Sequence, residues 1–157
     1  MEHVISVLVE NKFGVLAHIA GMFSGRGFNI DSLAVGETED PTVSRMTIVV
    51  RGDDRVVEQI LKQLNRQVNV VSATDLSQEP HIERELVLLK IATTPKNRRE
   101  VIEIADIFRS KVVDVQHGSI TLEAVASGAK IASLIDLLKP YGILELVRTG
   151  RIAVARG

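Results

Sequence analysis

Asn11-Lys12-Phe13-Gly14-Val15-Leu16 opens the stretch that decides the fold, and Gly25-Arg26-Gly27-Phe28-Asn29-Ile30-Asp31-Ser32-Leu33 closes it. A strand pattern leads in, an apolar helix pattern joins the two segments, and a second strand pattern leads out. Gly14 has no Cβ, so a ligand or a second chain can approach its backbone closely. The residues after it start a helix, whose first turn has unpaired N–H groups and a partial positive charge. Such a place binds carboxylates. Asn11 and Asn29 each offer an amide that donates and accepts hydrogen bonds. If the flanking strands lie together, the two asparagines come near each other. Amide oxygens for an ammonium and N–H donors for a carboxylate are what a small zwitterion requires. The same residues also make an ordinary strand-to-helix turn, and on local pattern alone the turn is the favoured reading.

Outward from this stretch the pattern is regular. His3 to Glu10 alternates as a strand, with Ile5, Val7 and Val9 on one face. Leu16, Ile19, Ala20 and Phe23 follow the spacing of an amphipathic helix, which Gly25 and Gly27 end. Asn29–Thr38 and Val43–Arg51 read as strands around a turn at Glu39-Asp40-Pro41. Gly52-Asp53-Asp54 marks a helix start, an Asp being a good cap, and Val57, Ile60, Leu61 and Leu64 repeat the helical stripe. Asn69–Leu76 is a fourth strand. A short polar linker with Pro80 follows, and the order repeats. Glu83–Thr93 reads as a strand, and Thr94-Pro95 opens a helix with the stripe Val101, Ile104, Ala105 and Phe108. Lys111–Gln116 and Ser119–Ala126 are strands joined at His117-Gly118. Ile131, Leu134, Ile135 and Leu138 mark a last helix, stopped by Pro140. Ile143–Val154 is a strand or hairpin bent at Gly150.

Two copies of β-α-β-β-α-β predict an α+β chain of two ferredoxin-like βαββαβ units, over residues 1–77 and 82–157, each an antiparallel sheet with both helices on one face. Apolar residues on both strand faces call for a cover over the helix-free side. They also suggest a homodimer, with an edge strand of the first unit paired to a second copy. In the second unit Thr94-Pro95-Lys96 replaces the Asn11–Gly14 turn, so it is not expected to bind the same ligand.

Composition narrows the function. The 157 residues include 19 basic and 20 acidic side chains, for a formal net charge of −1. That balance gives no general pull toward nucleic acid or an anionic membrane. There is no cysteine, which excludes disulfides, thiol catalysis and cysteine-held metal. Glu2 and the lack of a basic N-terminal region argue against a secretory leader. No apolar run reaches the roughly 18 residues of a membrane helix. A soluble, cytoplasmic chain is expected.

No catalytic machinery is visible. His3, His18, His81 and His117 lack metal-ligand spacing and read as surface or turn residues. Asp53-Asp54 reads as a helix cap, Glu37, Glu39 and Asp40 as an acidic hairpin tip, and Arg98-Arg99 as an exposed helix face. The serines lack a nucleophile elbow, and Gly25-Arg26-Gly27 is too short for a dinucleotide fingerprint. RNA-recognition domains share the element order but stack bases on sheet aromatics, and the strands here carry almost none. Acylphosphatase-like enzymes share it too, so the order alone decides nothing.

The segment Asn11–Leu16, followed by Gly21-Met22-Phe23 and Arg26–Leu33, resembles an ACT domain. More narrowly, it is similar to the small regulatory subunits of acetohydroxyacid synthase (acetolactate synthase), and the resemblance covers nearly the whole chain. Gly25 and His18 depart from it, standing where basic residues are usual. The resemblance implies a non-catalytic subunit that binds and activates a large catalytic partner and confers inhibition by valine or another branched-chain amino acid. Thiamin diphosphate, Mg and FAD are implied in that partner, and no cofactor in this chain. It implies an effector site at Asn11, Gly14 and Asn29, with Val15, Leu16 and Ile30 as the apolar wall. Two rival classes stand beside it: a free-standing ACT-type sensor serving another enzyme, and a small ferredoxin-like enzyme.

Overall fold

The structure, a computed structural model, describes residues Met1–Gly157. The chain forms two compact units, Met1–Ile82 with Arg151–Gly157, and Glu83–Gly150. None of its helices is long and apolar enough to cross a membrane. In each unit an antiparallel sheet carries its helices on one face, and the chain is α+β, built of two ferredoxin-like units.

The first unit runs β1 (Glu2–Glu10), α1 (Val15–Ser24), β2 (Asn29–Glu37), β3 (Val43–Arg51), α2 (Asp54–Arg66) and β4 (Val70–Asp75). The sheet order is β2-β3-β1-β4, so the crossover from β1 to β2 leaves a slot that β3 fills. Strand alternation turns Ile5, Val7, Val9, Met46, Ile48 and Val50 toward the helices, where they are buried against Val15, Ile19, Phe23, Val57, Ile60 and Leu64. The inward stripe of α1 is Val15, Ile19 and Phe23 rather than one starting at Leu16, which is 44% exposed. One residue of phase decides this. Val15, Ile19 and Phe23 form one i, i+4 row, and that row rather than the one through Leu16 is turned to the sheet.

Asp53 caps α2 as expected, its carboxylate accepting the N–H of Arg55 at 2.8 Å. Gly52 is needed for a different reason. A Cβ built there would lie 1.7 Å from Cε1 of the buried Phe28. On the helix-free face Val4 and Val49 pack with Leu76 and Ala153, the latter from β9 (Ile152–Ala155). Arg151 joins this tail to β1 through two bonds to the Glu2 carboxylate, at 2.6 and 3.0 Å. The reading of 82–157 as one block thus differs from the structure over Arg151–Gly157, whose apolar Ala153 finds its cover on the first unit.

β5 (His81–Ala92) leads into the second unit, followed by α3 (Arg98–Ile107), β6 (Lys111–Val115), β7 (Ser119–Ala126), α4 (Gly128–Leu138) and β8 (Ile143–Arg148). Its sheet order, β6-β7-β5-β8, repeats that of the first unit. Val87, Leu89, Ile91, Ile120 and Leu122 meet Val101, Ala105, Ile131, Leu134 and Leu138 in a second core. Thr94 exchanges hydrogen bonds with Asn97 (Thr94 N–H to Oδ1, 2.7 Å; Asn97 N–H to Oγ1, 3.3 Å), the reciprocal pattern of a capping box, and regular helix starts one turn later, at Arg98.

Candidate functional site

The turn between β1 and α1 is built by backbone geometry. Lys12 N–H donates to Glu10 O at 3.0 Å, and Val15 N–H to Lys12 O at 3.3 Å. Gly14 stands in the left-handed region, at φ +84°, which L side chains avoid. Nothing lies within 4 Å of where its Cβ would be, so backbone conformation rather than crowding calls for glycine. No side chain caps α1, and the N–H groups of Gly14, Leu16 and Ala17 have no partner. Three unpaired donors at the positive end of a helix are the chemistry that suits an anion.

Asn11 sits at the same end of the sheet. Its Nδ2 donates to Glu37 Oε1 at 3.1 Å and to Pro41 O at 3.0 Å. Both neighbours are acceptors, which fixes the amide with Oδ1 turned the other way, free to accept. Its backbone N–H donates to Thr42 O at 2.7 Å, tying the β1–α1 turn to the β2–β3 hairpin. Lys12 is paired with Glu10 at 2.9 Å, whereas Glu37 has no cationic partner. Asp40 is used locally. The hydroxyl and backbone N–H of Thr42 donate to its carboxylate, at 2.7 and 3.0 Å, and hold its pKa below the usual carboxylate range.

The structure separates the two asparagines. Glu10, just before Asn11, pairs with Val43, and Asn29 pairs with Arg51. These partners lie at opposite ends of β3, eight residue steps and roughly 27 Å apart at the rise of an antiparallel strand. The strands flanking the turn do not lie together, because β3 is between them. Ile30 goes with Asn29 to the far end and packs partly on the core. Val15 is buried at 4% exposure, with its side chain in the core. Of the named residues, Asn11, Gly14 and the exposed Leu16 share one end of one chain.

Two features escaped the sequence reading. His3, taken for a surface residue, is 1% exposed, with Nδ1 2.7 Å from Asp75 Oδ2 and Nε2 3.0 Å from Asp54 Oδ1. Strand alternation puts it on the core face, and α2 and β4 bring the carboxylates to it. Arg98, taken for an exposed face, donates from Nη2 to the carbonyls of Gln116 and His117 at 2.7 and 2.8 Å. It ties the β6–β7 hairpin to the start of α3, as Asn11 ties the hairpin of the first unit. No group of three or more His, Asp or Glu side chains converges as a metal site.

Comparison with known proteins gives the family. A family described as the AHAS small subunit-like ACT domain matches residues 5–72, and one described as the small subunit of acetolactate synthase matches residues 84–157. The acetolactate synthase small subunit of Aquifex aeolicus is 49% identical, over 99% of this chain and 81% of that protein. That of Mycolicibacterium smegmatis is 47% identical, over 99% of this chain and 91% of the relative. The crystal structure of the acetolactate synthase small subunit of Thermotoga maritima superposes with a TM-score of 0.87 at 39% identity, covering 100% of this chain and 98% of the other. With both units matched and near half of all residues identical across the whole length, the chain belongs to the acetolactate synthase small-subunit family.

Proposed function

We propose that this chain is the non-catalytic regulatory subunit of an acetolactate synthase, working as a homodimer in the cytoplasm. It binds the large, thiamin-diphosphate-dependent catalytic subunit, raises its activity and makes it subject to inhibition by valine or another branched-chain amino acid. Acetolactate formation lies on the route to these amino acids, so the inhibition is feedback by an end product. Thiamin diphosphate, Mg and FAD belong to the large subunit.

The observation that carries the reading is the uncapped start of α1. It leaves the N–H groups of Gly14, Leu16 and Ala17 unpaired in a chain that matches small subunits throughout. These donors would take the effector's carboxylate, and Asn11 Oδ1 its ammonium. Leu16 offers an exposed apolar side chain for the effector's own.

Asn29 enters through the second copy. β2 is an edge strand whose outer backbone groups meet no other strand. The opposite edge is blocked at Ala73. Asn65 of α2 accepts the N–H of Ala73 on β4 at 3.0 Å and donates to its carbonyl at 3.1 Å, standing in for a neighbouring strand. A two-fold pairing therefore favours β2. Strands joined there run antiparallel and set the partner's Asn29 beside the Asn11 and Glu37 end of the first chain. In the second unit the Arg98 guanidinium already fills the hairpin carbonyls, and Asn97 satisfies the N–H of Thr94, which supports a structural role there.

Reconstitution tests this. Acetolactate formation by the large subunit should rise on adding the chain, and valine should then suppress it. The isolated chain should form no acetolactate. Turnover by the chain alone, or no effect on the large subunit, would overturn the proposal.

A further inference from the structure

The acidic hairpin tip has a part that neither the family match nor the anion-binding turn accounts for. Its acidic residues behave differently. Asp40 is consumed by Thr42, closing the hairpin on itself. Glu37, the last residue of β2, instead turns to the β1–α1 turn and accepts from Asn11 Nδ2 at 3.1 Å. No lysine, arginine or histidine pairs with it, and Lys12, on the turn, is held by Glu10 at 2.9 Å. An unneutralised carboxylate therefore stands beside a turn whose own donors attract an anion.

We infer that Glu37 is the specificity residue of the effector site, selecting a ligand that carries an ammonium group next to its carboxylate. This rests on the effector reading above and assigns a discrimination within it. Glu37 acts in two ways. Together with Pro41 O it presents two acceptors to the Asn11 amide, forcing NH2 toward the hairpin and leaving Oδ1 to accept from a ligand. Its negative charge attracts an ammonium and repels a ligand that lacks one. The class selected is the α-amino acid. The class rejected is the 2-oxo acid of the same carbon skeleton, which offers the same carboxylate and apolar side chain but no cation. Discrimination against a ligand lacking a required polar group is large, because the site's own groups are then left without a partner.

Calorimetry on the purified full chain tests the inference, with valine and with its 2-oxo acid, on wild type, Glu37→Gln and Gly14→Asp. Glu37→Gln keeps an acceptor for Asn11 and removes only the charge. The wild type should bind valine and reject the 2-oxo acid. Glu37→Gln should bind valine about tenfold more weakly or worse, as expected for losing a charged partner. It should bind the 2-oxo acid no more weakly than before, so the ratio between the two narrows. If Glu37→Gln keeps both the wild-type affinity and the wild-type ratio while Gly14→Asp abolishes valine binding, Glu37 does not read the ammonium and the effector site stands. If both variants bind valine as the wild type does, or the wild type binds none, the effector reading itself fails and this inference with it.

Discussion

Replacing Gly14 separates backbone strain from charge at the turn. At φ +84° any L side chain pays for the left-handed conformation, about 1–2 kcal/mol. No atom lies within 4 Å of the added Cβ, so Gly14→Ala should meet that strain and no clash. Gly14→Asp adds a carboxylate at the cap position of α1, from which cap side chains accept the second and third N–H of a helix. Here these belong to Leu16 and Ala17, which have no partner. The new side chain would thus compete with the effector for its donors. Losing one charge-assisted hydrogen bond costs about 1.5–3 kcal/mol, or about ten- to a hundredfold in affinity. Coupling between allosteric sites is typically only ~1–3 kcal/mol, so that loss is enough to abolish inhibition at ordinary effector levels. In a valine titration of the reconstituted synthase, Gly14→Asp should activate like the wild type and ignore valine, and Gly14→Ala should remain inhibitable. If Gly14→Asp stays fully sensitive, the effector binds elsewhere. If Gly14→Ala is equally insensitive, strain rather than charge is responsible. If activation is lost too, the turn serves the fold.

Gly52→Ala should destabilise the first unit by about 1–3 kcal/mol in urea unfolding, because its Cβ would overlap the buried Phe28 ring. His3→Ala should cost about 2–3 kcal/mol by the same measurement, since it leaves Asp75, whose side chain is 11% exposed, without its 2.7 Å partner. Asn65→Ala should open the β4 edge, and sedimentation should show species larger than the wild type, growing with concentration; an unchanged profile from a folded variant would dismiss the plug. The Arg151 guanidinium bonded to Glu2 holds that carboxyl below its ordinary pKa. The contact therefore contributes in full above the unfolded-state value and is lost as pH falls through the lower folded one. Glu2 is partly exposed, so the effect is below about 1 kcal/mol; the protection of tail amides, measured against intrinsic exchange rates, should fall as pH drops in the wild type and stay level in Glu2→Gln.

Much of the fold was legible because its cues are local. β3 and β7 have the bounds read from alternation, and Asp53 is the cap its residue type suggested. The phase of α1 was less so. The sequence shows an apolar stripe, but only packing against the sheet decides whether Val15 or Leu16 faces inward. His3 and Arg98 were misread because their partners come from distant elements, and a polar residue looks like a surface residue until those are placed. The site was half legible. The turn chemistry of Asn11 and Gly14 is visible in the residues. The distance to Asn29 follows from the ferredoxin-like order, in which the third strand always parts the first two. A site using both asparagines therefore requires two chains.

A crystal structure of the chain grown with valine tests this most directly. The account predicts a dimer joined along β2, with the valine carboxylate on the N–H groups of Gly14, Leu16 and Ala17, its ammonium at Asn11 Oδ1, and the partner's Asn29 against the same molecule. Valine bound by one chain without the partner's Asn29, or bound away from the β1–α1 turn, would contradict it.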